Sequence, residues 1–425
     1  MKILVYNNGC VREEIITKHL RERIVEEGHE KCYSAMDADV LIYVTCAGVK
    51  KSIVESLKDI SAFKLLKKKD AKLIITGCLT RIDFFFDELK KEDNVYVVKN
   101  IDFVVPIFNI INNENKRNTT KTKLDNRTRF SYDSNVSIQF MLCNGCINKC
   151  SFCKENYLNT KVTSIPYDIA FNYLKSLVET GTRAITLSGE NLTLYGIDLY
   201  GKPVLHKFIH DLCALPGLMF LTINEVTVQN MYPELLNELI SQEKIGEVGI
   251  QIETVSDPLL KLMNRNHDFE KLDYVITSLT NAGKLINTVL MSGFPTETVD
   301  DMNLTINYLK DKHIYTELLC EYCDFECIPS GKLPQFKARE KRKHTMYLRK
   351  AIIDINKEAL LHNIDKTKVS IVAQKTDKKV FLRNFFFGYT IKKEYQDANI
   401  GDVVELPASN VVHLKRSKIG YQYRH

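Results

Sequence analysis

The stretch CINKCSFCKE, residues 146–155, sets Cys146, Cys150 and Cys153 in a C-x3-C-x2-C spacing. Thiolates this close are the donors of zinc and iron–sulfur sites, and closed sites of either kind take four ligands. Three thiolates would hold three irons of a 4Fe–4S cluster and leave the fourth iron open, as catalytic metal sites keep one position open. A zinc site completed from elsewhere in the chain is the plainer alternative. Phe152 stands just before the last cysteine, and the loop directly follows the apolar run VSIQFML, which reads as a strand.

A second set is spread along the first eighty residues. Cys10, Cys46 and Cys78 each follow an apolar run, and they lie 36 and 32 residues apart. Each interval is about one β-α-β step, so parallel pairing would carry all three to one edge of a sheet, where open α/β folds bind ligands. Buried structural cysteines would be scattered along strands, whereas NGC, VTC and TGC stand at equivalent places. A second three-thiolate cluster is the reading that follows.

The elements that must position these groups show in the periodicity. KILVYN, DVLIYVT, KLIITG and VYVVKN read as buried strands separated by helical segments, the first with Leu20 and Ile24 on one face and Gly28 as its stop. This is the pattern of a doubly wound parallel sheet over residues 1–111. Residues 112–135 contain a polar stretch without periodicity and read as a linker. From 136 to 365 the strands VSIQFML, RAITLSG, MFLTIN, EVGIQIE, INTVLMSG and YTELLCEY alternate with helices, which predicts a partial α/β barrel. A long charged helix closes it. Residues 366–425 turn to short strands and turns and predict a small β-barrel. The 425 residues include twelve cysteines but no apolar run long enough to cross a bilayer and no leader-like start. A cytoplasmic protein without disulfides is the expectation.

With both cysteine sets in view, the sequence resembles a family. C-x3-C-x2-C with an aromatic before the third cysteine is similar to the radical S-adenosylmethionine signature. The two sets in this order resemble the methylthiotransferases, which modify transfer RNA or a ribosomal protein. ADVLIYVTCA, KLIITGCLTR, SGENLTLYG, IETVSDPLLKLMNRNH and SGFPTET carry the likeness over nearly the whole chain, and IGDVVEL resembles the family's small C-terminal nucleic-acid-binding (TRAM-like) module. The resemblance implies two 4Fe–4S clusters, one on Cys146, Cys150 and Cys153 and an auxiliary one on Cys10, Cys46 and Cys78. It implies S-adenosylmethionine as cofactor, cleaved at the barrel cluster to a radical that abstracts hydrogen, and a methylated sulfide at the auxiliary cluster. An electron donor such as flavodoxin or ferredoxin, a sulfur source and a monomeric enzyme belong to the same expectation.

Further residues take roles from the likeness. Gly189 and Glu190 resemble the element that holds the cofactor's amino group, though Glu190 would equally be a plain exposed carboxylate. Glu253 stands where the family more often has glutamine and would accept ribose hydroxyls; a loop salt bridge is the alternative. Arg265 would pair with the cofactor carboxylate, or simply pack. Gly293, Phe294 and Pro295 would shape the turn beside the adenine, with Phe152 against the adenine or the cluster. The stretch KENYLNTKVTSIP departs from the family, with Lys161 in place of an arginine. Cys143 reads as a bystander, and Cys32 and Cys213 as core residues. Cys320, Cys323 and Cys327 form C-x2-C-x3-C, but strand alternation would turn Cys320 away from the other two.

Charge points to a substrate. Residues 366–425 hold 12 Lys/Arg against 5 Asp/Glu, a balance of +7 against +6 for the whole chain, interleaved with Phe381, Phe385, Phe386, Phe387, Tyr389, Tyr421 and Tyr423. Cations among aromatics suit looped RNA. The expectation is methylthiolation of transfer RNA at a modified adenosine beside the anticodon. The alternatives are an aspartate of a ribosomal protein or another peptide, and a non-catalytic RNA-binding iron–sulfur protein.

Overall fold

The computed structural model describes residues 1–8, 11–46, 50–81, 92–98, 104–112, 130–134, 136–153, 161–324, 328–363, 369–377, 379–384, 389–392 and 395–405. The chain divides into two compact units, Met1–Phe130 and Ser131–His425.

In the first unit β1 (Lys2–Asn7), β2 (Glu30–Cys32), β3 (Val40–Thr45), β4 (Lys72–Gly77) and β5 (Val95–Val97) pair in the order β2-β1-β3-β4-β5. Every pairing is parallel. All six residues of β3 are buried, which is why it reads as an unbroken apolar run: helices cover both faces of such a strand. Leu20 and Ile24 of the helix Val11–Glu26 lie fully buried with Ile3, Val40, Ile42 and Ile74, and Gly28 takes φ +79 just beyond the helix end. The edge strand β2 has no sequence signal, being three exposed or half-buried residues that pair with β1. Cys32 lies on it half-buried, its thiol bonded to the Ser34 carbonyl, and is not the core residue expected.

The second unit curls an open sheet from β6 (Phe130–Ser134), β7 (Ser137–Asn144), β9 (Ala184–Gly189), β10 (Phe220–Val226), β11 (Ile245–Glu253), β12 (Leu285–Ser292) and β13 (Tyr315–Glu321), with β8 (Thr163–Ser164) on β7. The six expected barrel strands, β7 and β9 to β13, are parallel throughout. Strand β6 falls inside the stretch expected as linker, while residues 113–129 lie outside the described residues. The helix Ala338–His362 packs Leu348, Ile352, Ile355 and Ala359 inward.

The C-terminal segment is an antiparallel sheet, β16-β15-β14-β17, built from β14 (Val369–Thr376), β15 (Lys379–Asn384), β16 (Tyr389–Lys392) and β17 (Val403–Glu405). Among the described residues it is an open sheet rather than a closed barrel. It belongs to the second unit because Ile371 and Ala373 pack on Val136, Ala184 and Phe220, at the N-terminal ends of the barrel strands. Arg383, 2% exposed, reaches in to donate to Thr186 Oγ1 at 3.4 Å. Of the aromatics counted in this segment, Phe385, Phe386, Phe387, Tyr421 and Tyr423 lie outside the described residues.

Candidate active site

The loop after β7 carries Cys146, Cys150 and Cys153, at the opposite end of the barrel from the C-terminal sheet. It begins at Gly145, whose φ is +83 and whose absent Cβ leaves room for the backbone carbonyl of Lys161; any side chain would collide there. Glu190 pins the same point: its Oε2 accepts from Gly145 N at 2.6 Å. Glu190 is thus a tether of the cysteine loop and not a plain exposed carboxylate. The neighbouring Gly189 N–H donates to Glu225 Oε2 at 2.8 Å.

Farther along, the loop is fastened to the segment SDPLLKLMNR. Ser151 N donates to the Met263 carbonyl at 2.8 Å and its Oγ to the Leu262 carbonyl at 2.7 Å. Asn264 Nδ2 donates to the Lys149 carbonyl at 2.6 Å. Ser330 Oγ donates to the Ser151 carbonyl at 2.8 Å from 179 residues away. Cys150 is buried, and burial pushes its thiol above the ordinary range, with the Arg265 charge opposing. Cys146 Sγ accepts from Asn148 N and from Asn191 Nδ2, each at 3.4 Å.

Glu253 and Arg265 do not stand apart as two separate anchors. They form a buried ion pair, Arg265 Nη2 to Glu253 Oε1 at 2.9 Å, 12 residues apart in sequence. Burial pushes the Glu253 carboxyl up and the guanidinium holds it down. The salt-bridge alternative for Glu253 is therefore the one observed, and with it a pairing for Arg265 that spacing does not reveal. Arg265 also lies over the Phe152 ring, 5.4 Å from its centroid, and its buried Nε has no hydrogen-bond partner among the described residues. Glu225 and Glu253, each at a strand end, both take φ near +60 (59° and 63°). That region is costly for residues with a Cβ and tends to be kept at functional sites.

Phe294 is fully buried with Leu259, Met263, Tyr322 and Ile328, and Phe152 packs against this group. The turn that holds it is fixed from below: Glu297 Oε2 accepts from Gly293 N at 2.7 Å and faces His344 Nδ1 at 2.8 Å. Pro295 is buried beside it. Sequence reasoning missed Glu225, Glu297, His344, Asn191 and Asn230, each of which has a partner more than 30 residues away in the chain.

In the first unit Thr45 of β3 is level with Gly77 of β4, so Cys46 and Cys78 follow at the same height on adjacent strands. Gly77, with φ +94, has no Cβ to strike the Thr45 carbonyl, so the two strand ends lie close. Cys46 is buried and its N–H donates to Ser56 Oγ, which Asn8 Nδ2 also reaches at 2.9 Å. Cys78 is buried and opens a 3-10 turn, Cys78–Arg81. Cys10 lies outside the described residues.

Among the remaining cysteines, Cys143 is buried against Gly189, and burial pushes the Cys213 thiol up to about 12. Strand β13 ends at Glu321, so alternation does not extend to Cys323; Cys327 lies outside the described residues. No three His, Cys, Asp or Glu side chains among the described residues close around a single metal ion. A cluster needs no such closure, because each thiolate grips its own iron. The donor set suits one: the half-buried Cys146 sulfur meets two N–H donors, which matches a thiolate, and an orphaned guanidinium nitrogen stands beside the loop. No helix among the described residues is long and apolar enough to cross a membrane.

Residues 140–309 match the family model of the radical SAM superfamily, and residues 2–99 that of the uncharacterized protein family UPF0004. The chain is similar to the ribosomal protein uS12 methylthiotransferase RimO of Carboxydothermus hydrogenoformans, 23% identical over 99% of this chain and 95% of that protein. It is 24% identical to the RimO of Clostridium botulinum strain Hall, over 100% of this chain and 98% of that protein. Among solved structures, the radical S-adenosylmethionine methyltransferase TsrM of Kitasatospora setae, with cobalamin and a [4Fe-4S] cluster bound, matches with TM-score 0.55 and 13% identity. That match covers 78% of this chain and 77% of that one. The last likeness speaks to fold alone.

Proposed function

The chain belongs to the radical S-adenosylmethionine methylthiotransferases, and we propose that it places a methylthio group on an unactivated carbon of a ribosomal protein, uS12 first. The observation that carries the protein substrate is the likeness to uS12 methylthiotransferases along 99–100% of the chain, through both units and the C-terminal sheet. It favours the ribosomal-protein alternative over transfer RNA. The basic C-terminal segment also supports RNA less than its charge suggests, because Arg383 is buried against the barrel and the described part of the sheet lies away from the cysteine loop.

In this reading Cys146, Cys150 and Cys153 would hold the cluster that binds S-adenosylmethionine, and Cys10, Cys46 and Cys78 the auxiliary one. Those groups supply the one-electron bond cleavage and the sulfur for transfer. What the chain contributes is position. Glu190, Ser151, Asn264 and Ser330 hold the loop; Arg265, locked by Glu253, keeps a free Nε for an anionic group; Glu297 holds the turn at Gly293. Cys150 and Phe294 are buried, while Cys146 and Cys153 stay half-exposed. A radical enzyme of this kind requires an electron donor.

The test gives the anaerobically reconstituted full chain S-adenosylmethionine, a low-potential reductant and, separately, purified uS12 or total transfer RNA. Mass spectrometry is expected to find one added methylthio group on uS12 and none on the nucleosides. The opposite pattern would restore transfer RNA as the substrate.

A further inference from the structure

We propose that Asn191 sets the reduction potential of the cluster on Cys146, Cys150 and Cys153, through its side-chain N–H bond to Cys146 Sγ. The inference rests on those cysteines holding a cluster and not on the identity of the substrate. Asn191 is fully buried at the end of β9. Its amide orientation is determined by its neighbours. Thr227 Oγ1 has two acceptors for its one proton, Asn191 Oδ1 at 3.1 Å and Asn230 Oδ1 at 2.9 Å, while Asn191 Nδ2 donates to Asn230 Oδ1 at 2.8 Å and to Cys146 Sγ at 3.4 Å. A flipped amide would set its oxygen against both the sulfur and the Asn230 oxygen, two acceptors. Asn230 Oδ1 is itself held by Asn148 Nδ2 at 2.7 Å, and Asn148 N is the second donor to the same sulfur at 3.4 Å. One half-buried thiolate therefore meets two N–H groups, one of them on the fully buried Asn191.

Hydrogen bonds to cluster sulfurs are one of the levers by which a protein tunes such a cluster. The step concerned is the gain of one electron by the cluster, from its 2+ to its 1+ state, from a low-potential one-electron donor. That electron adds negative charge to the sulfurs, so an N–H donor stabilises the reduced form more than the oxidised one. Asn191 is a positioning and tuning residue, and loss of its donor should make reduction harder.

The experiment is a redox titration of the anaerobically reconstituted full chain, followed by electron paramagnetic resonance, with iron counted per chain and no substrate present. Asn191→Leu removes the donor. The equilibrium constant for reduction should fall about tenfold, a shift of about 59 mV to lower potential for one electron. Asn191→Asp replaces the donor by a carboxylate and should shift it further. Thr227→Val breaks the surrounding network but leaves the N–H in place, and should change the potential far less. Unaltered potential in Asn191 variants with full iron overturns the proposal, as does an equal shift in Thr227→Val. Should Asn191→Leu lose iron, the smaller Asn191→Ser is read the same way; loss of iron in all three Asn191 variants assigns the residue a structural role and also overturns it. An unmutated chain that takes up no iron would instead overturn the cluster reading, and failure to modify uS12 leaves this titration untouched.

Discussion

Cys146, Cys150 and Cys153 come from one loop, whereas Cys46 and Cys78 come from neighbouring strands 32 residues apart. The loop has little backbone pairing of its own and is fixed by side chains from distant elements, among them Asn191, Asn264 and Ser330. The strand-end pair is levelled by a parallel backbone ladder, with Gly77 drawing the two ends together. Local spacing announces the first site, but only strand register assembles the second. The first should therefore be sensitive to single side-chain losses that leave the strand-end pair unaffected.

The largest effect is expected from the cysteines themselves. Changing Cys146, Cys150 and Cys153 together to Ala should abolish 5′-deoxyadenosine formation and leave the iron of one cluster. Changing Cys10, Cys46 and Cys78 should leave the same amount of iron and retain cofactor cleavage, but end methylthio transfer. One cluster in the unmutated protein, by iron count after anaerobic reconstitution, would erase the comparison.

Next in size is the buried ion pair behind the loop. Arg265→Met leaves the Glu253 carboxylate buried and unpaired, which costs about 3–5 kcal/mol. Denaturant unfolding of the second unit should show this loss, and Glu253→Gln added to Arg265→Met should recover most of it. A single Arg265→Met change that leaves stability intact would mean the pair does not brace the loop.

The smallest effect is one of pH. Burial, with the Arg265 charge adding to it, pushes His267 down from 6.5 to about 4, and both its ring nitrogens are buried with no hydrogen-bond partner among the described residues. The folded state thus resists a proton that the unfolded chain accepts. Stability from this group is full above pH 6.5 and falls as the pH drops from there towards 4, by about 3 kcal/mol at most. His267→Gln should flatten that decline in denaturant titrations at pH 7, 5 and 4. An equally steep decline in the variant would place the acid sensitivity elsewhere.

How much of this was legible depended on the distance over which each feature is written. Six barrel strands, the first unit's parallel strands except β2, and both cysteine sets stand in the sequence because apolar periodicity and ligand spacing are local. That Glu253 and Arg265 pair with each other was not legible, because it takes the turn after β11 to fold the arginine back onto the carboxylate. Strand β6, at the edge of its sheet, has the sequence FSYDS, which lacks an apolar run and joins on to the polar stretch read as linker.

By itself, then, the sequence determined which residues are the candidate thiolate donors, which segments must be buried, and the order in which strands and helices alternate. The tertiary structure alone decided that Asn191 and Asn148 meet one sulfur, that Ser330 reaches across 179 residues to Ser151, and that the basic C-terminal sheet seals the N-terminal ends of the barrel strands. The reason is physical. Burial and backbone periodicity are properties of a segment, but a polar side chain's partner is whatever the strand order and register bring within hydrogen-bonding distance.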